Sequence, residues 1–201
     1  VLTLALQLRL EFPDLGVLVL ERKRHPLPDA AHKVGESTGE IGAHYFDSVL
    51  GLRDHLDGAH IRKFGLRYFF SDHRDDIENV TELGVSRFLP APSYQIDRGI
   101  FETFLGAEAR RRGIDFRDAA TITGFDVGEH GAVHMVRFRD DAGEHTVPAR
   151  WLLDASGRAA LLRRRFELGV DNGHHANAVW FRLGTRIDMD GWSNDAELRA
   201  R

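Results

Sequence analysis

Over the first twelve residues Leu2, Leu4, Leu6, Leu8 and Leu10 alternate with Thr3, Ala5, Gln7 and Arg9, the period of a strand. Residue type opposes that reading. Leu, Ala, Gln and Arg favour helices, β-branched residues are nearly absent, and Leu2, Leu6 and Leu10 also fall on one helical face. A helix is therefore expected, closed by Pro13 and Gly16. "VLVLE" follows as an unbroken apolar run that ends on Glu21, the pattern of a parallel strand buried on both faces.

Further along, "GESTGEIGAHYFDSVLGL" places Ile41, Tyr45, Val49 and Leu52 at helical spacing behind Ser37 or Thr38 as N-cap, with Glu40 as a nearby acid. "RKFGLRYFFSD" sets Phe64, Leu66, Tyr68 and Phe70 against Lys63, Gly65, Arg67 and Phe69, which predicts one two-faced strand from Lys63 to Ser71. "YQIDRGIFETFLGAEARRRGI" predicts an amphipathic helix carrying Ile100, Phe101, Phe104, Leu105 and Ala109 and stopped by Gly113. Gly-punctuated strands come next, with a hairpin at "DDAG". "RWLLDASGR" reads as another short strand that ends on an acid.

Composition narrows the class. The 201 residues are 42% hydrophobic and 29% charged, with mean hydropathy −0.33, as in an ordinary globular protein. A net charge of −4 supplies no basic field for nucleic acid or acidic membranes and points to a small-molecule partner. The absence of cysteine excludes disulfides and thiolate links to metal or flavin, and fits a reducing cytoplasm. The apolar opening is too short to span a bilayer. Eleven histidines raise the question of metal, but no H-E-x-x-H occurs and His174 and His175 are adjacent, so no metal site is expected.

Four residues invite a cofactor reading. Glu21, at a strand end, suits ribose hydroxyls, although an acid there is usually solvated. The phosphate-binding glycines precede such an acid by about 20 residues, which would place the first strand and the G-x-G-x-x-G loop before residue 1. Arg98 opens a helix, where its guanidinium could hold phosphate or simply face solvent. Asp154 could meet a ribose, and Gly157 permits close backbone approach; a plain strand-to-turn transition explains both equally well. Lys63 stands beside aromatics on a strand, where exposure is the default.

Taken together, "LVLERK", "KVGESTGEIGAHYFDSVLGL", "YQIDRGIFETFLGAEARRRGI" and "WLLDASGR" resemble, in order and spacing, the FAD-dependent oxidoreductases of the aromatic hydroxylase type. The similarity is greatest to the tryptophan halogenase-like branch of flavin-dependent halogenases. The resemblance implies an α/β fold with a partial Rossmann-like FAD-binding domain, residues 1–46 and 94–158, and antiparallel substrate-side segments, residues 62–93 and 165–201, including strands from Ala176 onward. It implies noncovalent FAD held by Glu21, Glu36, Ser37, Arg98, Asp154 and Gly157, with Glu36 also reading as a first-turn acid that complements a helix dipole.

"KFGLRYFF" is similar to the strand that carries the catalytic lysine, here Lys63. The implied reaction is halogenation of an electron-rich small molecule using oxygen, halide and reduced FAD from a partner reductase. A hydroxylase or an isoprenoid reductase of the same fold, or an inactive remnant, is the alternative. The chain departs from the branch in lacking W-x-W-x-I-P, which neither Trp180 nor Trp192 matches. The G-D segment and the carboxylate that assists chlorination would fall beyond Arg201.

Overall fold

The computed structural model describes residues 1–29, 35–85, 89–129, 131–177, 179, 181, 183–185 and 187–200. In chain order these form helix α1 (Leu2–Glu11), strand β1 (Leu18–Leu20), helix α2 (Glu40–His44), a π turn (Tyr45–Val49) and helix α3 (Arg53–Ala59). Strands β2 (Ile61–Arg62), β3 (Arg67–Phe70), β4 (Thr81–Gly84) and β5 (Tyr94–Gln95) follow, then helix α4 (Arg98–Arg111). Strands β6 (Asp115–Arg117), β7 (Thr121–Asp126), β8 (His134–Asp140) and β9 (Gly143–Ala149) precede two short helices, α5 (Leu161–Arg165) and α6 (Ala196–Arg199). The chain divides into two compact units, Val1–His32 with Asp97–Asn177 and Lys33–Ile96 with Ala178–Arg201.

In the first unit the leucine-rich opening is a helix, as residue type dictates. Leu2, Ala5 and Leu6 form its buried stripe, whereas Leu10 is 48% exposed. Strand β1 runs parallel to β6 in the register Leu18↔Asp115, Val19↔Phe116, Leu20↔Arg117. Only Val19 is buried; Leu18 and Leu20 are half-buried, so β1 is not enclosed on both faces as its unbroken apolar run predicted. A two-stranded ladder offers cover to its centre alone.

Helix α4 starts at Asp97, whose carboxylate accepts the N–H groups of Gly99 at 2.8 Å and Ile100 at 3.1 Å, a cap worth about 1 kcal/mol. Phe101, Leu105 and Ala109 are its buried face, packed on α1 and β6. Gly99 passes so close to the preceding loop that a Cβ there would lie 2.0 Å from the Pro28 carbonyl oxygen. Near the helix end, Glu108 bonds the guanidinium groups of Arg111 and Arg112. Those bonds, that of Arg111 first, hold its carboxyl down at about 2 against the opposing effect of burial.

Strands β7, β8 and β9 form an antiparallel meander, and β8 turns into β9 with Asp140 opposite Gly143, the hairpin expected at "DDAG". The strand expected at Trp151–Asp154 does not form. An isolated apolar run has no ladder to join there, and Trp151 is 82% exposed.

In the second unit Ala43, Leu50, Leu52, Leu56, Tyr94 and Ile96 are buried. The helix expected after Ser37 begins later and changes pitch. Gly39 stands at its N-cap, and the Leu50 N–H reaches back to Tyr45 and that of Leu52 to Phe46. The extra residue per turn rotates the buried face. Ala43, Asp47 and Leu50 turn inward, and Ile41, expected on the apolar face, is 88% exposed.

Of the strand expected from Lys63 to Ser71 only Arg67–Phe70 forms, as β3, and the separate strand β2 ends just before that span at Arg62. Strand β2 pairs antiparallel with β5, and β3 pairs antiparallel with β4, as Tyr68↔Leu83 and Phe70↔Thr81. The break falls at Gly65, whose φ of +153° interrupts the extended path in a way other residues resist.

No strand occurs among the described residues from Asn177 onward, contrary to the expectation from Ala176; a 3-10 turn (Met189–Trp192) and α6 stand there instead. Isolated residues such as Val179 and Phe181 are exposed and meet no partner strand. Trp180, and the Val34 that opens "VGEST", lie outside the described residues.

Candidate functional site

Lys63 follows directly after β2. Its backbone N–H bonds the Ser93 carbonyl at 2.7 Å, which fixes the Cα against the chain entering β5. The half-buried side chain then turns toward the segment before α2, where Nζ donates to the Thr38 carbonyl at 2.6 Å and to the Ser37 hydroxyl at 3.1 Å. The default exposed lysine is thus replaced by a doubly anchored one.

A depression of about 430 Å³ opens beside it, lined by residues 37–40, Lys63, Gly65 and Leu66, by Gly84 and Val85 of the hairpin end, and by Leu89. Residues bearing two hydroxyls, one carboxylate and one ammonium share this lining with three aliphatic side chains. That mixture suits a small, partly apolar ligand.

The segment carrying Ser37 is held in place by pairing with β5. Ser37 bridges Gln95 antiparallel, and the Ile96 N–H bonds the Glu36 carbonyl at 2.7 Å. Thr38 N–H donates to the Tyr94 carbonyl at 2.9 Å. Its hydroxyl donates to the same carbonyl at 3.0 Å and accepts the Tyr94 N–H at 2.7 Å. Behind this pair the Tyr94 phenol donates to Asp57 at 2.7 Å. Burial first, then that hydrogen bond, pushes the phenol up to about 12.

Ser37 and Thr38 therefore act as strand residues and not as helix N-caps. Glu36 precedes the helix by four residues and is no first-turn acid; Glu40 holds that place. The chain adopts an extended path here because β5 claims its backbone groups before the helix can.

The remaining candidates lie in the first unit. Glu21 caps the end of parallel strand β1, one carboxylate oxygen accepting the Lys23 N–H at 2.7 Å. Arg98 is paired with Glu102 one turn along α4, Nε to Oε1 at 2.8 Å. Glu21 at the end of β1 and Arg98 at the start of α4 both belong to the first unit. Asp154 accepts the Ser156 N–H at 2.9 Å and the Leu162 N–H at 2.8 Å. Its carboxyl is held below the usual carboxylate range, chiefly by the bond from the Ser156 side chain. Gly157 has φ +61° and open space where a Cβ would stand.

Sequence reasoning missed Thr38 and Tyr94 as parts of the site. The one signal was a Thr in an otherwise Gly-rich approach to a helix, which reads as a cap. Among the described residues no group of three His, Asp or Glu side chains is placed to hold a metal ion, and no helix is long and apolar enough to cross a membrane.

Residues 72–177, more than half of the chain, match the model of the tryptophan halogenase family. The chain belongs to that family. Over 156 residues it is 30% identical to a 1H-pyrrole-2-carbonyl-[peptidyl-carrier protein] brominase of Pseudoalteromonas luteoviolacea, covering 75% of this chain and 34% of the relative. Over 146 residues it is 25% identical to aklavinone 12-hydroxylase DnrF of Streptomyces peucetius, covering 72% of this chain and 28% of the relative. The myxobacterial chondrochloren halogenase CndH, an FAD-dependent halogenase, superposes with TM-score 0.62 at 26% identity, covering 78% of this chain and 34% of that one. The chain spans about a third of the length of the curated relatives it matches. With this membership the mixed fold of a parallel β1–β6 pair and antiparallel ladders is the partial Rossmann-like α/β architecture of the family.

Proposed function

We propose that this chain carries part of the active site of an FAD-dependent halogenase acting on an electron-rich small molecule, with Lys63 as the catalytic residue. The observation that carries the proposal is the anchoring of Nζ by the Thr38 carbonyl and the Ser37 hydroxyl on the wall of the 430 Å³ depression. A protonated amine has three N–H bonds. Two are engaged by described residues, and the third is left for an occupant of the depression. An amine so held can present an electrophilic halogen species to an arene and keep it from free diffusion, while Leu66, Val85 and Leu89 exclude water from one side.

The chemistry of Glu21 and Arg98 fits FAD. An acid at the carboxyl end of a parallel strand suits ribose hydroxyls, and a guanidinium at a helix start suits phosphate or a ring edge. Within the first unit Glu21 and Arg98 would hold the cofactor, with Asp154 and Gly157 as further contacts. When bound and reduced by a partner reductase, FAD supplies the electrons that activate oxygen. The family's soluble enzymes and the absence of cysteine agree with a cytoplasmic setting.

The decisive experiment replaces Lys63 with Ala in the protein expressed from its complete reading frame and supplies reduced FAD, oxygen and chloride or bromide. Halogenated product should vanish while flavin content and peroxide release stay near wild type. Retained halogenation would overturn the assignment. The similarity to aklavinone 12-hydroxylase supports a second reading, hydroxylation, in which Lys63→Ala leaves an oxygenated product intact.

A further inference from the structure

In an antiparallel ladder a hydrogen-bonded pair exchanges two bonds, each residue's N–H donating to the other's carbonyl. Thr38 and Tyr94 make only half of that exchange. The Thr38 N–H donates to the Tyr94 carbonyl at 2.9 Å, but the Tyr94 N–H goes at 2.7 Å to the Thr38 hydroxyl and not to its carbonyl. The hydroxyl stands in for the carbonyl of its own residue, and the carbonyl so released is the one that accepts from Lys63 Nζ at 2.6 Å.

We propose that Thr38 is the positioning residue for Lys63, its buried hydroxyl taking over a ladder bond so that its carbonyl is free to anchor the amine. Thr38 is 8% exposed, so water offers no ready substitute. Without the hydroxyl, the buried Tyr94 N–H must find another acceptor, and the acceptor that the ladder register assigns to it is the Thr38 carbonyl itself. The ladder then closes in the ordinary way, and Nζ loses its shorter anchor. This inference rests on the reading of Lys63 as the catalytic lysine, but its first test does not.

The chain has three lysines, and the exposed Lys23 serves as an internal standard. Acylation of the folded protein by a water-soluble N-hydroxysuccinimide ester, followed by peptide mass spectrometry, gives the rate at Lys63 relative to Lys23. Thr38→Val, isosteric and without the hydroxyl, should raise that ratio about fivefold, the factor corresponding to about 1 kcal/mol for one lost hydrogen bond. Thr38→Ser should restore the wild-type ratio. Arg53→Met, which weakens the same unit elsewhere, should leave it unchanged. An unchanged ratio in Thr38→Val, or an equal rise in Arg53→Met, overturns the proposal.

Should Thr38→Val not fold, the wild type decides. As urea rises, acylation of Lys63 and hydrogen exchange at the Tyr94 amide must increase together with one urea dependence; a reactive Lys63 beside a protected Tyr94 amide overturns the proposal. In turnover, Thr38→Val should lower kcat with the KM for the aromatic substrate little changed, and Thr38→Ser should recover it. If Lys63→Ala keeps full halogenation, the functional reading falls while the acylation result stands on its own.

Discussion

Asp47 and Arg53 face each other across the π turn through two hydrogen bonds of 2.7 Å, Nε to one carboxylate oxygen and Nη2 to the other. The two partners differ in exposure, 5% for the Asp47 side chain and 64% for that of Arg53. The pair therefore serves to neutralise a buried acid, and the hydrogen bonds from Arg53, above all, hold the Asp47 carboxyl below the usual carboxylate range.

Removing the arginine leaves that acid uncompensated. Arg53→Met should destabilise the second unit at pH 7, and Arg53→Lys should recover little, because a point charge cannot reproduce the fork. An acid whose value is depressed in the fold stabilises above its unfolded value and loses that contribution as pH falls. The difference between wild type and Arg53→Met should accordingly shrink toward pH 3, which urea midpoints across pH will test.

Gly99 and Gly58 should respond oppositely to alanine. At Gly99 a Cβ meets backbone at 2.0 Å, so Gly99→Ala must push α4 away from the Pro28 loop, at a cost of about 1–3 kcal/mol. Gly58, within α3, has open space at that position, and Gly58→Ala should stabilise by about 0.5–1 kcal/mol through helix propensity. Thermal midpoints of the two variants check the signs.

The two units should lose stability in different pH windows. Burial first, and then the charge of His60, brings His55 down to about 4. As pH falls from about 6.5 the unfolded chain takes up a proton that the fold refuses, so the second unit weakens between about 6.5 and 4. In the first unit Glu108 sits at about 2. Its contribution is intact above about 4.3 and fades below that, amounting to about 1–2 kcal/mol once the exposure of Arg111 is allowed for. Hydrogen exchange read peptide by peptide should show His55-region amides loosening first on acidification, with Glu108→Gln removing only the lower transition.

Substituting Glu21 tests the cofactor neighbourhood. Glu21→Gln keeps the acceptor for the Lys23 N–H but loses the charge, and should weaken FAD binding about tenfold, the equivalent of about 1.4 kcal/mol. Fluorescence titration of the complete protein measures it, and unaltered affinity would return Glu21 to a turn-capping role.

Much of this was legible in the residues. Asp97 before an apolar helical stripe is a cap by chemistry, "DDAG" is a hairpin by turn preference, and Leu, Ala and Gln made α1 a helix despite strict alternation. What stayed illegible depends on partners distant in sequence. Nothing local to "KFGLRYFF" says that Arg62 will pair with Tyr94 and Arg67 with Gly84, so one alternating run reads as one strand. "WLL" has strand composition, but composition does not supply a neighbour. Lys63 and Ser37 entered the candidate site by resemblance. Thr38 was mistaken for a cap because its role depends on which residue faces it across the ladder, a fact of register that no spacing within "GESTGE" contains.

The break at Gly65 has a bearing on how such an enzyme diverges. Every group that fixes Lys63, namely Ser93, Ser37 and Thr38, lies outside the β3–β4 hairpin, whereas the facing wall, Leu66, Gly84 and Val85, belongs to the hairpin or its ends. The hairpin's ladder is internal, Arg67 to Phe70 with Thr81 to Gly84, and it makes no demand on the lysine's anchors. Mutation can therefore remodel the hairpin wall, in length or side chain, while the amine stays where it is. On the proposed role of Lys63, a lineage built this way would explore new substrates through one wall and inherit its chemistry through the other.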